Sequence, residues 1–109
     1  MPSATYLLFR QAILSESQVA CFYNGRTREL CPHILGHKEG HEKVLAFQFG
    51  GETNSELPPG GEWRCLTLAD VRFARMKSGA WHSGPYHRRS QSCIDAVDID
   101  INIHVRKAP

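Results

Sequence analysis

The sequence predicts a mainly β domain: a small five-stranded antiparallel sheet or barrel with a short N-terminal helix and an extra C-terminal strand. Three observations predict it. Asn24-Gly25, a pair that tolerates the positive φ of a two-residue hairpin, separates two extended stretches. Five strand-like runs, mostly joined by tight turns, follow one another within about sixty residues. The stretch 97–105 then alternates strictly. Val97, Ile99, Ile101, Ile103 and Val105 face one way, and Asp98, Asp100, Asn102 and His104 the other.

Residues 1–15 hold the helix. Ser3 is placed to cap its first turn, Ala4 and Ala12 favour the helical state, and Tyr6, Leu7, Phe9, Ile13 and Leu14 supply apolar surface. That surface has only the following sheet to pack on. In the first strand Val19, Cys21 and Tyr23 alternate with Ala20 and Phe22, so both faces are apolar. The second strand runs from Arg28 to Leu35, where Pro32 removes a ladder donor and predicts an edge or a bulge. Gly36 to Gly40 reads as a polar turn, Val44 to Phe49 as a buried third strand, and Gly50 to Gly61 as a breaker-rich loop. Trp63 to Leu68 and Val71 to Met76 make the fourth and fifth strands about a turn at Ala69-Asp70. One domain thus divides into a helix (1–15), a sheet or barrel (16–77), and a loop with the terminal strand (78–109). Within 78–93, Trp81 and Tyr86 are expected to pin the loop, leaving Arg88 and Arg89 to an anionic partner.

The totals narrow the function. A chain of 109 residues fits one domain, and its 41% apolar and 22% charged fractions exclude global disorder. Thirteen Lys and Arg against eleven Asp and Glu leave a charge of +2, so any nucleic-acid binding needs a local basic patch. No apolar run approaches the roughly 20 residues of a membrane-spanning helix. Residues 1–10 lack the basic lead and small-residue cleavage site of a signal peptide. Cys21, Cys31, Cys65 and Cys93 are widely spaced, and the expectation is four reduced thiols in the cytoplasm.

The order of these elements resembles the WYL domain, a small Sm-like β-barrel of bacterial regulators. The similarity starts at Gln11-Ala12-Ile13 and runs through Val19 to Tyr23, Asn24-Gly25 and Arg28-Glu29-Leu30-Cys31-Pro32. Val44-Leu45-Ala46-Phe47 stands where the family has its Trp-Tyr-Leu strand, and Glu62 to Val71 resembles the second conserved strand and turn. Residues 8–77 are covered, about two-thirds of the chain. Thr67 and Asp70 replace arginines that the family often carries, while Arg28 and Arg64 remain. The resemblance implies a five-stranded Sm-like barrel that binds nucleic acid or a nucleotide-like ligand through a basic and aromatic groove.

Four constellations carry chemistry. In the first, Arg26, Arg28 and Arg64 lie near Tyr23, Trp63 and Phe47, where guanidinium groups suit phosphate and aromatic faces suit stacking. The expected binding residues are Tyr23, Arg26, Arg28, His33, Trp63 and Arg64; the blander reading makes them solvated strand ends and core. The second, Cys31, His33, His37 and His41, has zinc-ligand chemistry, with Cys65 adjacent across the sheet. Its spacing lacks the tight pairs of a closed zinc site, so no cofactor is expected and metal stands as the alternative. The third, His82, His87 and Cys93, offers a nucleophile and a base. Nothing in the sequence orders them, and catalysis is not expected. Asp95, Asp98, Asp100 and Asn102 form the last, which lacks an EF-hand pattern and reads as charges that protect a terminal strand. The apolar stripe of that strand leaves a homodimer or a protein-interaction adaptor pairing through 97–105 as a further alternative. The expectation is a stand-alone regulatory module for an anionic ligand, with no membrane partner.

Overall fold

The helix α1 (Ala4–Ser15) begins at Ser3, whose Oγ accepts the Tyr6 N–H at 3.1 Å while its own backbone N–H donates to Glu42 Oε2 at 3.0 Å. It ends where Glu16 turns to φ 51° and Ser17 N donates to Ala12 O at 2.9 Å. Tyr6, Phe9, Ala12 and Ile13 form its buried face, spaced by three or four residues as a helix stripe requires. Phe9 has no exposed surface, so Phe9→Ala costs about 3–5 kcal/mol. In this computed structural model residues 2–51, 61–84 and 93–104 are described.

Six antiparallel strands follow in one sheet: β1 (Gln18–Tyr23), β2 (Arg26–Lys38), β3 (His41–Gly51), β4 (Glu62–Thr67), β5 (Arg72–Lys77) and β6 (Ala96–Asp100). The strand order is β4-β3-β2-β1-β5, and β6 pairs β2 beside that path. Strands β4 and β5 end this path, joined in sequence by a 3-10 turn at Leu68–Asp70, and the sheet is open between them. The mainly β expectation and the N-terminal helix therefore hold.

The thirteen-residue β2 organises the sheet. Its first half pairs with β1, from Arg26 to Leu30, and its second half with β6, from Ile34 to His37; β3 lies along its other side. Pro32 falls between the two partners. There Pro32 opposes Ala46 and Ile34 opposes Leu45, which leaves His33 as the extra residue of a bulge. A proline survives in a central strand because its missing N–H falls at this break.

Asn24 (φ 51°) and Gly25 (φ 75°) make the expected hairpin. The next turn is shorter than the sequence suggests: only Glu39 and Gly40 turn, and Gly36 to Lys38 continue β2. Gly36 serves another purpose. A Cβ there would stand 2.1 Å from Ala96 O, so glycine is what lets β6 dock.

Two further expectations are corrected. The terminal strand stops at Asp100, because Asp100 Oδ1 accepts the Asn102 N–H at 2.9 Å and starts a helical turn at Ile101–His104. The alternation also breaks inside β6, where Leu35 opposes Ile99 and Gly36 opposes Val97, making Asp98 a bulge residue. The described part of this strand therefore does not carry one uninterrupted apolar stripe. Secondly, Cys65 and Cys93 form a disulfide, so the cysteines are not four reduced thiols.

The two sheet faces differ in cover. On one, α1 buries Val19, Cys21, Leu30, Leu35, Val44, Ala46, Leu66 and Ile99 in the main core. On the other, Ile34, Leu45, Cys93 and Ile94 form a second cluster with Trp63 against it. A strap at 79–84 crosses this second face. It is held by Gln18 Nε2 donating to Ala80 O (2.6 Å), His82 N donating to Cys31 Sγ (3.2 Å) and a His33 Nε2 contact with Ser83 Oγ (3.2 Å).

Candidate anion-binding site

Alternation along the strands decides which predicted residues meet. Arg28 lies two residues before Leu30 and opposes Gly51, Gln48 lies two after Ala46, and Arg64 opposes Ala46. All three share the helix-side face. There Gln48, with no exposed surface, gathers both cations: Arg28 Nη1 and Arg64 Nε each donate to Gln48 Oε1 at 3.2 Å. The amide's own Nε2 donates to Gly50 O at 2.9 Å, which fixes the oxygen toward the guanidiniums.

The two arginines are held differently. Arg64 is partly exposed and pairs with Glu62 at 2.8 Å. Arg28 is only 8% exposed, donates Nη2 to Tyr23 O at 3.2 Å, and lies 5.6 Å from the Tyr23 ring centre. Its Nε is buried with no acceptor, and no carboxylate among the described residues pairs with it. Burial, then the neighbouring charge of Arg64, lowers the Arg28 pKa. The site is thus a pair of cations bridged by one neutral oxygen, an arrangement that an oxyanion would improve.

Tyr23 frames this site, and its hydroxyl accepts the Thr67 N–H at 3.1 Å. Arg26 opposes Tyr23 across the hairpin. His33 and Trp63 do not join them. Alternation along β2 puts His33 on the far face with Cys31, where its ring lies 4.7 Å from Trp63 and 4.9 Å from Trp81, and Trp63 packs on Phe47 at 5.2 Å. His33 Nδ1 lies 2.7 Å from Cys31 O. The expected six-residue groove therefore splits: Tyr23, Arg26, Arg28 and Arg64 lie at one end of the helix-side face, and His33 with Trp63 in an aromatic layer beneath the strap. Trp81 pins that strap as expected; Tyr86, His87, Arg88 and Arg89 lie outside the described residues.

The metal quartet separates at the β2 bulge, which reverses the facing of the residues after His33. Cys31 and His33 face the strap, whereas His37 Nδ1 pairs with Asp98 at 3.0 Å beside Tyr6, and His41 is exposed opposite Lys38. Cys65 is committed to Cys93, which also removes Cys93 as a nucleophile for His82. Among the described residues no three His, Cys, Asp or Glu side chains gather as a metal site would require. Asp98 accepts the Tyr6 hydroxyl at 2.6 Å and so tethers α1 from the exposed side of β6.

Gln48 escaped the sequence reading. Its signal was present: a lone amide within the apolar run Leu45-Ala46-Phe47-Gln48-Phe49 must find partners if the strand is buried. No family model, curated protein or solved structure matches this chain. The functional reading rests on the site itself.

Proposed function

We propose that this chain is a WYL-like regulatory module, an opened relative of the Sm-like barrel, that binds nucleic acid or a nucleotide-like anion at Arg28 and Arg64. One observation carries the reading. Two guanidinium groups converge on a single neutral oxygen, and the more buried one has no carboxylate partner among the described residues. A phosphate oxygen placed there gains two charge-assisted hydrogen bonds and relieves the repulsion between the cations. The helix followed by five strands in the path β4-β3-β2-β1-β5 supports the resemblance at the level of element order. In this reading recognition is binding, with no bond made or broken.

We place this activity in the cytoplasm, where a disulfide such as Cys65–Cys93 is usually transient or redox-sensing. No helix among the described residues is long and apolar enough to cross a membrane.

Fluorescence titration with short single strands and cyclic nucleotides at two salt concentrations tests the proposal. Binding at low salt that weakens as salt rises is expected, with Arg64→Ala lowering the salt slope by about one. Arg28→Ala with Arg64→Ala should abolish binding, with circular dichroism checking that the fold persists. Absence of binding at low salt, or binding indifferent to Arg64→Ala, overturns it.

A further inference from the structure

The strap covers the far face over β2, β3 and β4 but leaves the β1–β5 end bare. A pocket of about 360 Å³ opens there, within the roughly 300–1,000 Å³ range of small-molecule sites. Ala20 forms part of its lining, with Phe22, Thr27, Phe73, Arg75 and Lys77 around it. Cys21 and Arg28 also touch it, although their side chains serve the helix side.

Its walls combine two chemistries. Phe22 and Phe73 meet edge to face with ring centres 6.5 Å apart, and Phe73 is 85% exposed. Arg75 is exposed and has no carboxylate partner among the described residues; Lys77 reaches Glu29 at 3.4 Å. The backbone at Phe73 is the telling feature. Arg72 opposes Phe22 and Arg75 opposes Ala20, so β5 carries an extra residue, and Phe73 sits there at φ 55°. A bulky residue in the left-handed region is a rare outlier, and here the strain holds an aromatic ring out over the pocket and buries nothing.

We infer that this pocket is a second binding site, separate from the Arg28–Arg64 pair, for a small ligand that joins a flat aromatic ring to an anionic group. The ring stacks on Phe73 beside Phe22, and the anion pairs with Arg75, with Lys77 released from Glu29 as a second donor. Nucleoside monophosphates and aryl carboxylates share this chemistry.

Calorimetric and NMR titrations of the whole chain test it with adenosine 5′-monophosphate, adenosine, benzoate and inorganic phosphate. Binding of the monophosphate or benzoate is expected, and whichever binds more tightly identifies the source. Adenosine and phosphate, each lacking half of the chemistry, should bind at least about tenfold more weakly. Phe73→Ala should weaken binding at this pocket by about tenfold, and Arg75→Ala should weaken it and flatten its salt dependence. The resonances of Ala20 and Phe22, which report this pocket apart from the Arg28–Arg64 pair, should shift equally in the parent and in Arg64→Ala. Phe73→Gly separates function from structure: it should raise Tm by relieving the strained φ while losing the ligand. Failure of both aromatic anions to bind at millimolar concentration overturns the inference. So do resonance shifts at Ala20 and Phe22 that ignore Phe73→Ala, or that vanish in Arg64→Ala.

Discussion

Arg28 and Arg64 meet on one atom, Gln48 Oε1, each 3.2 Å away and each donating to it. The sheet brings these two like charges together across β2, β3 and β4, and a neutral amide mediates between them. Replacing that amide by a carboxylate supplies the charge that Arg28 lacks. Gln48→Glu should therefore raise the denaturation midpoint while weakening anion binding, because the new side chain occupies the ligand's place. Gln48→Leu should lower stability by about 1–3 kcal/mol, since it leaves two donors short of an acceptor. Chemical denaturation with the low-salt titration checks both. A Gln48→Glu protein that binds anions as tightly as the parent contradicts the assigned site.

Tyr6 ties the helix to the last strand through Asp98, which also receives His37. Tyr6→Phe should cost about 1–2 kcal/mol. The link has an alkaline signature as well. Burial, followed by the hydrogen bond to Asp98, pushes the Tyr6 pKa up from 10.0 to about 12. The folded state holds this proton more tightly than the unfolded chain does. Its contribution is full below pH 10 and is lost as pH rises toward 12. Cys21, raised by burial from 9.0 to about 11, adds a loss of the same sign that starts lower. Denaturant midpoints across this range should fall with pH, and less steeply in Tyr6→Phe. Equal slopes for the two proteins would discount the link.

The cysteines divide into a bonded pair and two buried thiols, Cys21 and Cys31. Burial raises the pKa of both, so neither supplies much thiolate near neutral pH. A chromogenic disulfide reagent should find no reactive thiol in the folded, oxidised protein, the two buried thiols after denaturation, and all four cysteines after reduction and denaturation. The bond closes a chain separation of 28 residues, so Cys65→Ala with Cys93→Ala should cost roughly 3.5 kcal/mol on loop entropy. Four reactive thiols in unreduced, denatured protein would show the bond absent.

Much of the fold was legible from short-range patterns. The Ser3 cap, the hairpin at Asn24-Gly25, the bulge foreshadowed by Pro32 and the turn at Ala69-Asp70 depend on local backbone chemistry, and each is where its residues imply. Reading failed where a distant neighbour set the conformation. Gly36 looks like a turn residue until Ala96 O is found against it, and the alternation from Val97 to Val105 gives no notice of the bulge at Asp98 or the cap at Asp100. The β1–β5 pocket was half visible. Phe73, Arg75 and Lys77 recur every second residue, but only the bulge makes them neighbours of Phe22.

The sequence by itself determined a mainly β chain with a capped helix, one tight hairpin, and arginines at positions 28 and 64. Those properties follow from residue-by-residue preferences for φ, for burial and for charge. Tertiary structure alone decided which side chains share a face. A single extra residue at His33 moves His37 to the helix side, away from Cys31 and His33, and Gln48 becomes the centre of a site because β3 lies between the two arginine-bearing strands. Register is a long-range property: one bulge reverses the facing of a side chain, and no local preference encodes that.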